Sequence, residues 1–155
     1  VFGGAAKDVE EGYRIAEETL ANGKGLEKFR QLVAQQGGDP SVVDNPDLLP
    51  TAGHSEEIAA EADGFLGSVD TLEVGLCGVA LGAGRDSVEA VIDMAVGFTV
   101  NKKIGDPVRK GESLITVHYN DRKKADAIRD RLRRAFVVRK EAAKRPPMIY
   151  KVIEP

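Results

Sequence analysis

The chain has 155 residues, a formal net charge of −3, 42% hydrophobic and 30% charged residues, and only 5% aromatics. That balance fits a globular domain with an aliphatic core and room for a helical extension. No apolar run approaches the roughly 20 residues of a membrane-spanning helix, no basic-then-apolar leader opens the chain, and the single Cys77 excludes an internal disulfide. A cytoplasmic protein is the expectation. The opening Val1-Phe2-Gly3-Gly4-Ala5-Ala6 reads as the continuation of something earlier, so a piece of a longer protein is expected.

In chain order, Asp8 and Glu11 form a capping-box-like start, followed by Val9, Tyr13, Ala16 and Leu20 at helical spacing up to Asn22-Gly23. A second helix spans about 25–36, with Leu26, Phe29, Leu32 and Val33 as its stripe and Gly37-Gly38 as its stop. Pro40, Pro46 and Pro50, among Asp and Asn, mark a turn-rich connector. Residues 1–50 thus read as a helical hairpin with a connector, and 51–155 as a second domain.

Segments 58–62 and 65–69 predict two strands joined at Asp63-Gly64, a hairpin-type signal. Asp70 then caps a helix, with Glu73 three residues on and Leu72, Leu76, Val79 and Ala80 as its expected buried face. Segments 98–103 and 114–119 are the clearest strands. A helix follows Asn120-Asp121, with Ala125, Ile128, Leu132 and Ala135 or Phe136 on one face. Pro146-Pro147 precedes a last expected strand, 148–153. The order is that of an α+β fold, with a mixed, mostly antiparallel sheet.

Charge is lopsided. Residues 1–100 carry 6 basic and 18 acidic side chains; residues 101–155 carry 16 basic and 7 acidic. The two halves could attract each other, or the basic helix could meet an acidic surface elsewhere. From Arg122 to Arg145 there are 11 basic and 3 acidic side chains. Such a run could track phosphates, but it lacks interleaved aromatics for stacking, and a solvated helix face is the preferred reading.

Few residues offer chemistry. In Gly82-Ala83-Gly84-Arg85, exposed backbone N–H groups and a guanidinium could wrap an anion. A helix C-cap followed by a surface loop explains the same residues, and short Gly-x-Gly signals are common. His54 lies in a polar connector and His118 alternates with Thr116, so both read as solvated. Cys77 sits in an apolar stretch as an inert thiol. No Cys/His cluster has metal spacing, so no metal is expected, and no carboxylate pair stands out.

Several collinear segments carry a resemblance. They are Phe2-Gly3-Gly4-Ala5-Ala6-Lys7, Ala21-Asn22-Gly23-Lys24-Gly25-Leu26-Glu27-Lys28-Phe29, Gln35-Gln36-Gly37-Gly38-Asp39-Pro40, Ala62-Asp63-Gly64, Leu81-Gly82-Ala83-Gly84-Arg85, Asp93-Met94-Ala95-Val96-Gly97, and Gly105-Asp106 through Gly111-Glu112. Together they resemble the C-terminal portion of the pyrimidine nucleoside phosphorylases, the family that includes thymidine phosphorylase.

The resemblance implies reversible phosphorolysis of a pyrimidine nucleoside to the free base and a pentose 1-phosphate. Phosphate is then a co-substrate of the parent enzyme, and this chain binds no cofactor. The family's phosphate-holding and base-holding residues have no counterpart here, so no catalytic residue is assigned. Residues 1–50 would belong to the parent α/β domain, and 51–155 would form an α/β-hammerhead, barrel-sandwich-like domain. Gly82, Ala83, Gly84 and Arg85 would lie toward the cleft, in a mobile loop, 82–91, that orders on closure. The rest of the parent enzyme is the implied partner, in a homodimer. The 97–117 region is also similar to biotinyl and lipoyl carriers, but Asn101-Lys102-Lys103-Ile104 departs from their modified-lysine motifs. A non-catalytic structural module is the alternative.

Overall fold

The computed structural model describes residues 1–85 and 87–153. The chain divides into two compact units, Val1–Leu49 and Pro50–Pro155.

In the first unit, helix α1 spans Val9–Ala21 and α2 spans Lys24–Gln35. Asp8 caps α1 by accepting the Glu11 amide at 2.8 Å, and the Glu11 carboxylate accepts the Lys7 amide at 2.9 Å. Both bonds satisfy donors that a helix start leaves open. Gly37 adopts a left-handed φ of 80°, and the Gly38 amide closes back on the Val33 carbonyl at 2.9 Å. Short 3₁₀ turns follow at Pro40–Val43 and Pro46–Leu48. Arg30 grips Asp44 with two hydrogen bonds of 2.5 and 2.8 Å, tying α2 to the first of these turns. Neither helix buries a residue, and Val9, Tyr13, Leu20, Leu26 and Phe29 all stay exposed.

Among the described residues, the second unit holds six strands and two α-helices: β1 (His54–Ala59), β2 (Gly64–Val69), α3 (Thr71–Gly78), β3 (Gly97–Val100), β4 (Pro107–Val108), β5 (Ser113–Tyr119), α4 (Arg122–Ala135) and β6 (Phe136–Arg139). They form two three-stranded sheets, ordered β1-β5-β3 and β4-β2-β6. Every strand pairing in both is antiparallel. The class is α+β, as expected. The expected single mixed sheet is instead two open sheets, and no barrel closes.

The hairpin expected at Asp63-Gly64 does not form. β1 pairs with β5, while β2 pairs with β4 and β6. Past β1, Ala60 bonds in both directions with the 111–112 turn, at 2.8 Å each, and the Asp63 carboxylate accepts the Lys110 amide at 2.7 Å. The chain thus crosses from one sheet to the other at the residues that look like a turn. β5 is the stronger partner for β1 because its alternation buries Ile115, Val117 and Tyr119 in the same core as Ile58.

Three further expectations change. α3 buries Cys77 and continues to a buried Leu81, whereas Leu72 and Leu76 are exposed. Gly78 brings the helix against the Phe98 ring, and the Arg131–Glu73 pair at 2.6 Å holds the rotation. Residues 148–153 form no strand, and Met148, Ile149 and Tyr150 are exposed. The basic run from Arg122 to Arg145, read as one helix face, is helical only to Ala135; Phe136–Arg139 is β6, whose β-branched Val137 and Val138 suit a strand.

The core contains Ile58, Leu66, Cys77, Leu81, Ile115, Val117, Ile128 and Leu132, all close to fully buried. α4 closes it with Ala125, Ile128, Leu132 and Ala135, the expected face. Among the described residues, no helix is long and apolar enough to cross a membrane.

A Cβ on Gly64 would collide with the Arg139 backbone carbonyl across the β2–β6 pair. Gly64→Ala should therefore cost about 2 kcal/mol, read as a fall in the thermal midpoint.

The 101–112 turn is braced by Asp106 and Glu112. Asp106 titrates below the usual carboxylate range, chiefly because the Lys103 amide donates to it and also because Arg145 pairs with it. Glu112 is lowered chiefly by the Lys102 ammonium, 2.6 Å away, and then by the Arg109 amide. Depressed folded values mean that this stabilisation is complete above the ordinary carboxylate range and is lost as pH falls through them. Protection of the amides in 101–112, relative to their intrinsic exchange rates, should fall below about pH 4. An Asp106→Asn/Glu112→Gln variant should lose that acid dependence.

Candidate functional site

α3 starts on an Asp70 cap that accepts the Glu73 amide at 3.0 Å. It ends by widening into a π turn, Val79–Ala83, in which Gly82 takes a φ of 112°. A side chain at that φ is strained, so the glycine is what lets the chain leave the helix here. The reading of this stretch as a helix end therefore holds, with Gly84 as the cap. Gly84 is extended, and a Cβ there would press on the Val79 side chain at 3.0 Å. Ala83 and Arg85 are exposed, and Arg85 makes no hydrogen bond or ion pair among the described residues. The expected mobile loop, 82–91, includes Asp86, which lies outside the described residues. The candidate site is therefore Gly82, Ala83, Gly84 and Arg85.

Three residues that sequence reasoning missed hold this turn. The Asp93 amide donates to the Gly82 carbonyl at 3.0 Å. The Asp93 carboxylate accepts the Asn120 side-chain amide at 2.8 Å and the Ala95 backbone amide at 3.0 Å. These donors, Asn120 first, hold the Asp93 carboxyl below its usual range, and the Lys124 charge acts in the same direction. The Lys124 ammonium lies 3.5 Å from where a Gly82 Cβ would sit. Asp93 stood in a segment that carried the family resemblance, and Asn120 stood beside a helix cap. Neither pattern shows that the two meet across 27 positions.

The other candidates are structural. His118 shares a 2.9 Å hydrogen bond with Thr99 across the β3–β5 pair. The exposed His54 ring rests on Tyr119, with centroids 5.4 Å apart. Burial pushes the Cys77 thiol up, which keeps it protonated and unreactive. Among the described residues, no group of three or more His, Cys, Asp or Glu could hold a metal ion.

The basic helix is occupied by carboxylates. Arg129 reaches Glu56 with two hydrogen bonds of 2.8 and 3.1 Å and Asp126 at 2.6 Å. Both partners raise its pKa, with Glu56 the larger cause. Arg131 takes Glu73, Arg133 takes Asp130 and Glu61, and Arg122 takes Asp126. Glu56, Glu61 and Glu73 come from the acidic half of the sequence, so the lopsided charges do attract each other. Most of the guanidiniums on α4 are satisfied within the chain.

These observations define a class: a small α+β module of two open antiparallel sheets closed by one amphipathic helix, with a glycine turn at its surface. Residues 65–139 match the family model described as "Pyrimidine nucleoside phosphorylase C-terminal domain". The chain is 40% identical over 153 residues to the pyrimidine-nucleoside phosphorylase of Staphylococcus haemolyticus, covering 99% of this chain and 35% of that protein. It is 38% identical over 145 residues to that of Geobacillus stearothermophilus, covering 94% and 33%. It is 36% identical over 148 residues to that of Staphylococcus epidermidis, covering 96% and 34%. The chain belongs to the pyrimidine nucleoside phosphorylase family and carries its C-terminal portion. It spans about a third of the length of the relatives it matches.

The Glu56–Arg129 pair is the best-formed bridge between α4 and the first sheet. Glu56→Ala should destabilise the chain by no more than about 1 kcal/mol, because the guanidinium would lose a bidentate but partly exposed partner. Denaturant midpoints measured at low and high salt check this, and the gap should narrow with salt.

Proposed function

We propose that this chain serves a pyrimidine nucleoside phosphorylase as a structural and domain-closure element. The reaction is phosphate plus pyrimidine nucleoside giving free base plus pentose 1-phosphate. Near-complete coverage of the chain by phosphorylases three times its length is the observation that carries the reading. The groups that bind phosphate and stabilise the leaving base would then lie in the remainder of the enzyme. Phosphate is the co-substrate, and the rest of the parent enzyme, as a cytoplasmic homodimer, is the partner. The exposed apolar residues of α1 and α2 fit a surface that the remainder of that enzyme covers.

Within that enzyme, Gly82–Arg85 faces the substrate cleft. An exposed guanidinium that no carboxylate among the described residues pairs with keeps its attraction for an anion, and backbone N–H groups at a glycine turn can add to it. Arg85 thereby differs from Arg122, Arg129, Arg131 and Arg133 of α4, which are committed to acids of the chain. Nucleic acid is not a partner on this reading.

The alternative carrier-like module fares worse on one observation. Lys102 is tied to Glu112 at 2.6 Å and to the Pro107 carbonyl at 3.3 Å, whereas a swinging-arm lysine must stand free.

The test is phosphate-dependent release of thymine and uracil from their nucleosides by the full-length enzyme and by this chain in parallel. Activity in the full-length enzyme alone is expected, and phosphorolysis by the 155-residue chain would refute the assignment of the chemistry to other segments. Arg85→Ala in the full-length enzyme should lower kcat/KM about tenfold, mainly through KM.

A further inference from the structure

A hydrogen bond from the Asp93 amide to the Gly82 carbonyl ties the Gly82–Arg85 turn to the rest of its unit. Asp93 holds the Gly82 carbonyl through its backbone amide and meets Asn120 through its side chain. Asn120 uses both ends of its own side chain. Its Nδ2 donates to Asp93 at 2.8 Å, and its Oδ1 accepts the Gly53 amide at 2.8 Å.

We infer that Asn120 is the positioning residue for the Gly82–Arg85 turn, bridging the entry to β1 and the Asp93 carboxylate. The inference rests on the reading of that turn as part of the substrate cleft.

The chemistry of the site requires an amide of this length. Asn presents a donor and an acceptor at opposite corners of one planar group. An Asp here could accept from Gly53 but would set a second carboxylate against Asp93. An Ala would leave both partners to water. The mount is also rigid. Asn120 follows the buried Tyr119 at the end of β5 and precedes Asp121, whose carboxylate accepts the Lys123 and Lys124 amides at 2.8 and 3.3 Å. A strand end and a capped helix start thus fix the backbone on both sides. Lys124, one turn into α4, supplies positive charge to the same Asp93 carboxylate.

Two measurements test the inference. Amide hydrogen exchange is compared in the 155-residue chain and in its Asn120→Ala and Asn120→Asp variants. Asn120→Ala should speed exchange at Gly53, Asp93 and Ala95 by about tenfold or more, with Val117 and Ile128 unchanged as the control for folding. Asn120→Asp should keep the Gly53 amide slow and release those of Asp93 and Ala95.

Kinetics of the full-length enzyme supply the second readout. Asn120→Ala should raise KM more than it lowers kcat, and an Asn120→Ala/Arg85→Ala double variant should be no worse than Arg85→Ala alone. Unchanged exchange at Asp93 and Ala95 would overturn the bridge. Faster exchange with additive or absent kinetic effects would overturn its role in the cleft. A wild-type enzyme without phosphorolysis would instead sink the functional reading, and the exchange data would still judge the bridge.

Discussion

Burial of one face of α4 is the constraint on which the second unit depends. Ala125, Ile128, Leu132 and Ala135 recur at three- and four-residue spacing, and Phe136 extends the face into β6. α4 packs against α3, β1, β5 and β6, so elements of both sheets meet on this one helix. Each large side chain there contributes about 1.5–3 kcal/mol by leaving water. The arginines on its flanks then choose among rotations that bury the same stripe. Glu56 on β1, Glu73 on α3 and Glu61 beyond β1 each receive one of them. Partly exposed pairs of this kind add little stability singly. Their value here is orientation.

That orientation carries through to the glycine turn. α4 begins on its Asp121 cap, which places Asn120 and Lys124 beside Asp93 and, through it, beside Gly82. The surface turn is therefore referenced to the core by way of a helix start. Arg85 is exposed at this turn and makes no ion pair among the described residues, while Arg122, Arg129, Arg131 and Arg133 of α4 are engaged. The contrast between engaged and unengaged cations separates the structural role of the basic helix from the proposed role of the turn.

Much of the local structure was legible in the residues. Asp8 and Asp70 cap helices where their spacing to Glu11 and Glu73 implies it, and Asp121 caps the helix expected after Asn120-Asp121. Side-chain capping is an interaction over two or three residues, so it survives almost any tertiary context. The buried stripe of α4 and the strand at 113–119 were legible for a similar reason, since each has a clear period. α3 misled because Leu72 and Leu76, four apart, mark one apolar face, whereas the helix buries Cys77 and brings Gly78 against Phe98. β4, with two residues, is too short to carry a period.

By itself the sequence determined the α+β class, the capped helices, the positive-φ glycines and the family. Each of these depends on neighbouring residues or on collinear motifs. Only the tertiary structure decided that β1 abandons β2 for β5, that the acidic half neutralises the basic helix, and that Asn120 meets Asp93. Backbone hydrogen bonds in a sheet are nearly indifferent to which strand supplies them, so partnership goes to the pairing that buries the most apolar surface. Contacts across 27 to 73 positions follow from that choice and leave no mark on local spacing.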